Sequence, residues 1–237
     1  MKDASRAFFP ALFFFLPGLL LAGSPVKSEG TGVSEISDRY RRALERVALR
    51  EASFILGLRP RRPDSHKSKT FARDRALLLK RPSRRGMFVS VFDARSKRLV
   101  GCMGSLFPAR ENLYRETLHW TRIALLHDPR RATHKRRTGR LKRIALILSF
   151  IHGVQPLRGF YFDSIRHGLL GRWRGREELV LPGEARTSAY ARRMVLEKMG
   201  LRRAPPGMEF FIVRALRFGG GKKLFDPRSK DFKGYGG

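Results

Sequence analysis

The chain has 237 residues, is 42% hydrophobic, and carries 51 Lys+Arg against 20 Asp+Glu, a formal net charge of +31. That length can bury a sizeable core, as one large domain or two small ones, and the charge predicts attraction to polyanions without bearing on fold. A single cysteine, Cys102, excludes an intramolecular disulfide and any cysteine-built zinc centre.

In chain order, Lys2 and Arg6 precede a charge-free apolar run over residues 7–23. A basic start, an apolar stretch and small residues after it read as a secretory signal, with Ala22 and Ser24 suited to a cleavage site. Pro10, Pro17 and the shortness of the run argue against a spanning helix. Residues 1–24 are therefore expected to be a cleaved signal, with an uncleaved N-terminal anchor or a misassigned start as alternatives. The expected location is periplasmic or otherwise extracytoplasmic. Residues 25–37 form a polar linker, 38–218 the folded domain, and 219–237 a glycine-rich, charged tail expected to be disordered.

Within the domain, Ser37 is placed to cap a helix beginning at Asp38, with Tyr40, Leu44, Val47, Phe54 and Leu58 on one face. Residues 59–70, with two prolines and no apolar side chain, read as a surface loop. Residues 86–105 predict a hairpin with Cys102 near the end of its second strand. Residues 113–127 predict a helix stopped by Pro129, and 141–151 a strand buried on both sides. "GFYFDSI" and "EELVLPG" predict two further strands. Thr187 or Ser188 caps a helix running to Lys198, which Gly200 closes in the left-handed region. Residues 208–218 form the last strand. The pattern implies an α+β domain with a mostly antiparallel sheet, in which Trp120 and Trp173 belong to separate lobes and 149–182 reads as an insertion-like β segment.

After the strand "FVSVFD", six motifs in order carry a resemblance: "LVGCMG", "HDPRRA", "LKRIALILSF", "RHGLL", "LVLPGEA" and "LEKMGL". Over residues 86–201 the chain resembles the AMMECR domain family. The resemblance implies a two-lobed α+β fold with its motifs gathered around a cleft. It places Gly101, Cys102, Gly104, Asp128, Arg130 and His167 there, and fixes no reaction and no cofactor. Cys102, His167 and Asp128 are then the candidates for chemistry, and Gly101, Gly104 and Arg130 for ligand binding. Partners implied in the same way are Memo-like and radical S-adenosylmethionine proteins. Three departures bear on the cleft: Val100 stands where the family has arginine, Gly183 where it has glutamine, and Arg131 where it has phenylalanine.

The residues themselves leave two readings of Cys102 open. It is either a buried small hydrophobe or a nucleophile, which needs a nearby cation and a base; His167 and His127 are the partners compatible with the resemblance. Asp128, before Pro129, also suits a turn that accepts backbone hydrogen bonds. The six histidines show no close pair at metal-ligand spacing, so no metal site is expected. The run 130–143 holds eight Lys/Arg and no acid. Arg136, Arg137, Arg140 and Arg143 are its candidates for contact with an anionic surface or polyanion, against a plain solvated loop. No aromatic residue interleaves with them, which argues against base stacking. Two function classes follow: an enzyme or enzyme accessory working at the cleft around Cys102, or a cationic binding module for an anionic envelope component or nucleic acid.

Overall fold

The computed structural model describes residues 36–58, 69–128 and 143–220. In chain order these form α1 (Asp38–Ile55), α2 (Lys69–Leu79), β1 (Met87–Asp93), β2 (Leu99–Gly104), α3 (Leu113–Leu126), β3 (Ile144–Pro156), β4 (His167–Trp173), β5 (Arg176–Val180), α4 (Ser188–Lys198) and β6 (Glu209–Phe218). All six strands join one antiparallel sheet in the order β2-β1-β3-β6-β4-β5. The α+β class expected from the sequence is the one found. The stretch 149–182 is no insertion: it supplies the second half of β3, then β4 and β5, all in the same sheet.

β1 and β2 are joined by a tight turn that Asp93 organises. Its carboxylate accepts from the Arg95 N–H at 2.9 Å and the Ser96 hydroxyl at 2.7 Å. Burial alone would raise the Asp93 pKa, but these hydrogen bonds outweigh it and hold the carboxyl below its ordinary value.

Along each strand, side chains alternate between two faces. Met87, Val89, Val91, Leu146, Leu148, Phe150 and Phe218 face one way, and α1 and α3 cover them. Helix α1 contributes Ala43, Leu44, Val47, Ala48 and Ala52, all without solvent exposure. Each large side chain buried here contributes about 1.5–3 kcal/mol. On the same face, further along β6, Phe210 lies with Leu169, Val180, Ala191 and Val195 under α4. Trp120 belongs to the first helix group and Trp173 to the second, as expected.

Three local expectations change. Ser37 occupies the N-cap of α1 but makes no side-chain cap. Helix α2 follows a segment read as loop, and its apolar stripe is thin. A bidentate bond from Arg46 to the buried Asp74, 2.7 Å on each arm, ties it to α1. "GFYFDSI" is not a strand: Asp163 turns the chain there, its carboxylate accepting from the Ile165 and Arg166 N–H groups. At the other helix the reading holds, since Thr187 caps α4 through the Tyr190 N–H at 3.1 Å and Gly200 has φ +73°.

Glu116, fully buried in the first turn of α3, fixes the loop that leaves β2. It accepts from the Ala109 N–H at 3.0 Å, the Arg110 N–H at 2.6 Å and the Trp120 indole N–H at 2.7 Å. A Glu116→Gln variant turns an amide donor toward at least one of these donors. Equilibrium denaturation should show a loss of about 2–3 kcal/mol; an unchanged midpoint would show that the loop does not depend on this carboxylate.

Candidate functional site

The β1–β2 hairpin carries Cys102 opposite Ser90, and the two flanking glycines have separate causes. Gly101 faces the helices; a Cβ there would lie 1.9 Å from the Ala124 carbonyl oxygen in the last turn of α3. Gly104 faces the other way, where a Cβ would lie 2.4 Å from the Phe88 ring. Both glycines therefore admit protein atoms. The sequence offered them as ligand-binding residues, but the space over each is already filled.

Asp128 follows the last turn of α3 and is buried. Its Oδ2 accepts the Cys102 backbone N–H at 2.7 Å. β2 lies at the edge of the described sheet, and the carboxylate takes the edge N–H there. Asp128 thus meets the main chain of Cys102.

The thiol points to the face away from α1 and α3, where Ser90 donates its hydroxyl to Sγ at 3.1 Å. Among the described residues no helix packs on this face, yet Ile147, Ser149 and Ile151 on it are buried. The sheet curls around it: Ile151, Leu170, Leu181 and Val213 form a cluster that Phe88, Cys102, Leu106 and Phe211 join. This inner face is apolar except for a track of polar groups. Ser149 lies between Phe88 and Arg217 across three strands, diagonal to Ser90. Arg217 donates from Nη1 to the Pro182 carbonyl in "LPGEA". Glu184 closes that loop by accepting the Leu181 N–H at 2.9 Å. The Ser149 hydroxyl is fully buried and, among the described residues, has no hydrogen-bond partner. Neither serine nor Arg217 stood out in the sequence reading. The available signal was a lone hydroxyl inside each of two apolar runs, "FVSVF" and "LILSFI".

His167 does not join Cys102. It lies on β4, paired with Arg214 of β6, four inter-strand steps or about 19 Å across the strands from β2. The row differs too: Cys102 aligns through Ser90 with Ile147 of β3, His167 through Arg214 with Gly153. Its side chain shares the face of Leu169 and α4, opposite to the thiol. The expected trio of Cys102, Asp128 and His167 is therefore no single constellation. His127, the C-cap of α3, is exposed. Val100 is buried among the helix-facing residues, at an irregularity of the β1–β2 register. A side chain at position 100 thus points away from the thiol, so its departure from arginine removes no cation from beside Sγ. Gly183 has φ +73°, a conformation unsuited to glutamine, and its N–H donates to the Ser164 carbonyl.

Arg130, Arg131, Arg136, Arg137 and Arg140 lie outside the described residues, as does the N-terminal stretch 1–35. Arg143 is described; it is exposed ahead of β3, its carbonyl accepting the Ala94 N–H. Of the expected tail, Gly219 and Gly220 are described, and the Gly220 N–H donates to Glu45 at 2.5 Å. Among the described residues, no group of three His, Cys, Asp or Glu could hold a metal ion. Among them, too, no helix is long and apolar enough to cross a membrane.

A family model described as AMMECR1 matches residues 47–214, well beyond the 86–201 that carried the resemblance. It takes in the second half of α1, all of α2 and just over half of β6. The fold is similar to that of the uncharacterized protein PH0010 from Pyrococcus horikoshii, with TM-score 0.54, 16% sequence identity, and coverage of 77% of this chain and 92% of that one. At that identity the likeness speaks for fold alone. No curated protein matches the chain in sequence. With the family model covering more than half of its length, the chain belongs to the AMMECR1 family.

Proposed function

We propose that the protein works at the inner sheet face, as an enzyme or an enzyme accessory, on a small acidic molecule held beside Cys102. The observation that carries this reading is the Ser149 hydroxyl, buried between Phe88 and Arg217 without a partner among the described residues. An orphaned buried hydroxyl costs about 1–3 kcal/mol, and a bound polar group would satisfy it. Arg217 in the same row supports an acidic ligand, because a guanidinium matches carboxylate geometry. The Ser90 hydroxyl aimed at Sγ supports a nucleophilic thiol, since it stabilises negative charge developing there. Asp128 acts as a positioning residue by fixing the main chain of Cys102.

Charge-selective alkylation tests this reading. Cys102 should prefer iodoacetate to iodoacetamide more strongly than free cysteine does. Arg217→Gln should lower that preference about fivefold or more, and Arg95→Gln, at an exposed turn, should leave it unchanged. A thiol labelled only on unfolding, or a preference indifferent to Arg217, would return Cys102 to the role of a packing residue.

Ser149→Ala supplies an independent check on stability. Removing an unsatisfied hydroxyl should leave the protein as stable or raise its stability by about 1 kcal/mol. A clear loss in thermal or chemical denaturation would mean that the hydroxyl is already satisfied.

Lys2, Arg6 and the charge-free run 7–23 support an extracytoplasmic location for this activity. Intact mass of the protein recovered from an extracytoplasmic fraction should show loss of about 22–30 residues; recovery from the cytosol with Met1 retained would overturn the location.

A further inference from the structure

The helix-bearing face of the sheet has an interval that neither helix group occupies. On β6, Leu216 and Phe218 lie under α1 and α3, whereas Phe210 lies under α4. Arg214 falls between them with the same alternation. Likewise, Phe150 packs in the first group and Leu169 in the second, leaving His152 and His167 at the border.

Register brings these groups together. Ile151 pairs with Ala215 and Gly153 with Arg214, so His152 is an extra residue bulged out of β3. His167 pairs with the same Arg214 from the other side. The Arg214 stem lies over Gly153 of β3, its Cβ, Cγ and Cδ within 3.6–3.9 Å of where a Cβ would stand. The Ile151 N–H donates to the Gly86 carbonyl at 2.9 Å, which sets Arg85 beside the bulge. Arg214 and His152 are exposed, and Arg85 and His167 half-buried.

Four basic side chains thus meet without an acid. Among the described residues none of the four makes an ion pair, whereas Arg46, Arg122 and Arg172 each hold a carboxylate at 2.6–2.7 Å. The neighbouring carboxylate, Asp163 ahead of β4, is engaged by the Ile165 and Arg166 N–H groups and the Arg166 guanidinium. Partial burial, then the charges of Arg85, Arg214 and His167, push the His152 pKa below its ordinary value, and every charge acting on it is positive. Like charges gathered in one place destabilise the folded state unless a counter-charge joins them.

We propose that Arg85, His152, His167 and Arg214 bind the phosphate group of a small molecule. The arginines supply donors at any pH, and His152, when the anion draws a proton to it, adds a charge-assisted hydrogen bond. This site lies on the opposite face from Cys102 and stands independently of the proposed chemistry there.

Sulfate serves as the probe, because it stays a dianion across pH 5–8. Without it, stability of the full chain should fall as pH drops below about 6.5, because His152 resists protonation when folded but not when unfolded. Millimolar sulfate, compared with sodium chloride of equal ionic strength, should offset that fall and raise the melting temperature more at pH 6 than at pH 8. Arg214→Gln and His152→Gln should each weaken sulfate binding about fivefold or more by calorimetry, and inorganic phosphate should compete for it. Arg203→Gln, at an exposed loop, and Cys102→Ser should leave affinity within about twofold. Equal weakening by Arg203→Gln would mean diffuse attraction to the +31 surface, and loss in Cys102→Ser would move the anion to the inner face. Either result, or no difference between sulfate and chloride, overturns the site.

Discussion

The antiparallel pairing of β3 with β6, and its one-residue slip at His152, is the constraint on which the rest of the architecture rests. β3 is 13 residues long, enough to pair with β1 along its first half and with β6 along most of its length. Without that span the α1–α3 group and the α4 group would sit on separate sheets. The slip matters as much as the length. It restores the alternation needed on each side, keeping Leu146, Leu148 and Phe150 toward the helices while Gly153 passes beneath Arg214.

The hairpin beside this seam shows how one short stretch can serve two faces. "LVGCMG" gives Val100 and Gly101 to the helix side, and Cys102 to the inside of the curl. α3 seats against the glycine, Asp128 at its end covers the edge amide, and the thiol is left in an apolar surround with a serine at hydrogen-bond distance. A backbone fixed from one side and a reactive atom presented on the other is the arrangement that precise chemistry requires. The same close seating explains why glycine flanks the thiol without opening room for a ligand.

Legibility in the sequence followed the strength of local patterns. The β1–β2 hairpin, α3, the Thr187 cap and the Gly200 stop were readable because alternation, helical spacing and cap chemistry are written within a few residues. Helix α2 was not, because Asp74 occupies a buried position that becomes tolerable only through Arg46, 28 residues earlier. "GFYFDSI" misled for the opposite reason: its aromatic residues suit a strand, but Asp163 satisfies the backbone locally and Tyr161 is left 83% exposed. The site was legible at Cys102 and Asp128, which adjoin in a motif order that sequence preserves. It was not legible at Ser149 and Arg217, nor in the separation of His167. Those depend on which strands become neighbours, and no local pattern encodes that a strand from the end of the domain enters the middle of the sheet.

That last strand sets the timing of assembly. Among the described elements β6 is made last, yet it lies between β3 and β4. During synthesis the three strands β2-β1-β3 with their helices, and the β4–β5 hairpin, can gather as local units. Neither has a partner for its open edge until residue 218 has emerged. Two half-sheets with unpaired inner edges are what a growing chain exposes, and such edges attract chaperones and invite misassociation. The nascent chain therefore keeps these edges open until β6 closes the seam.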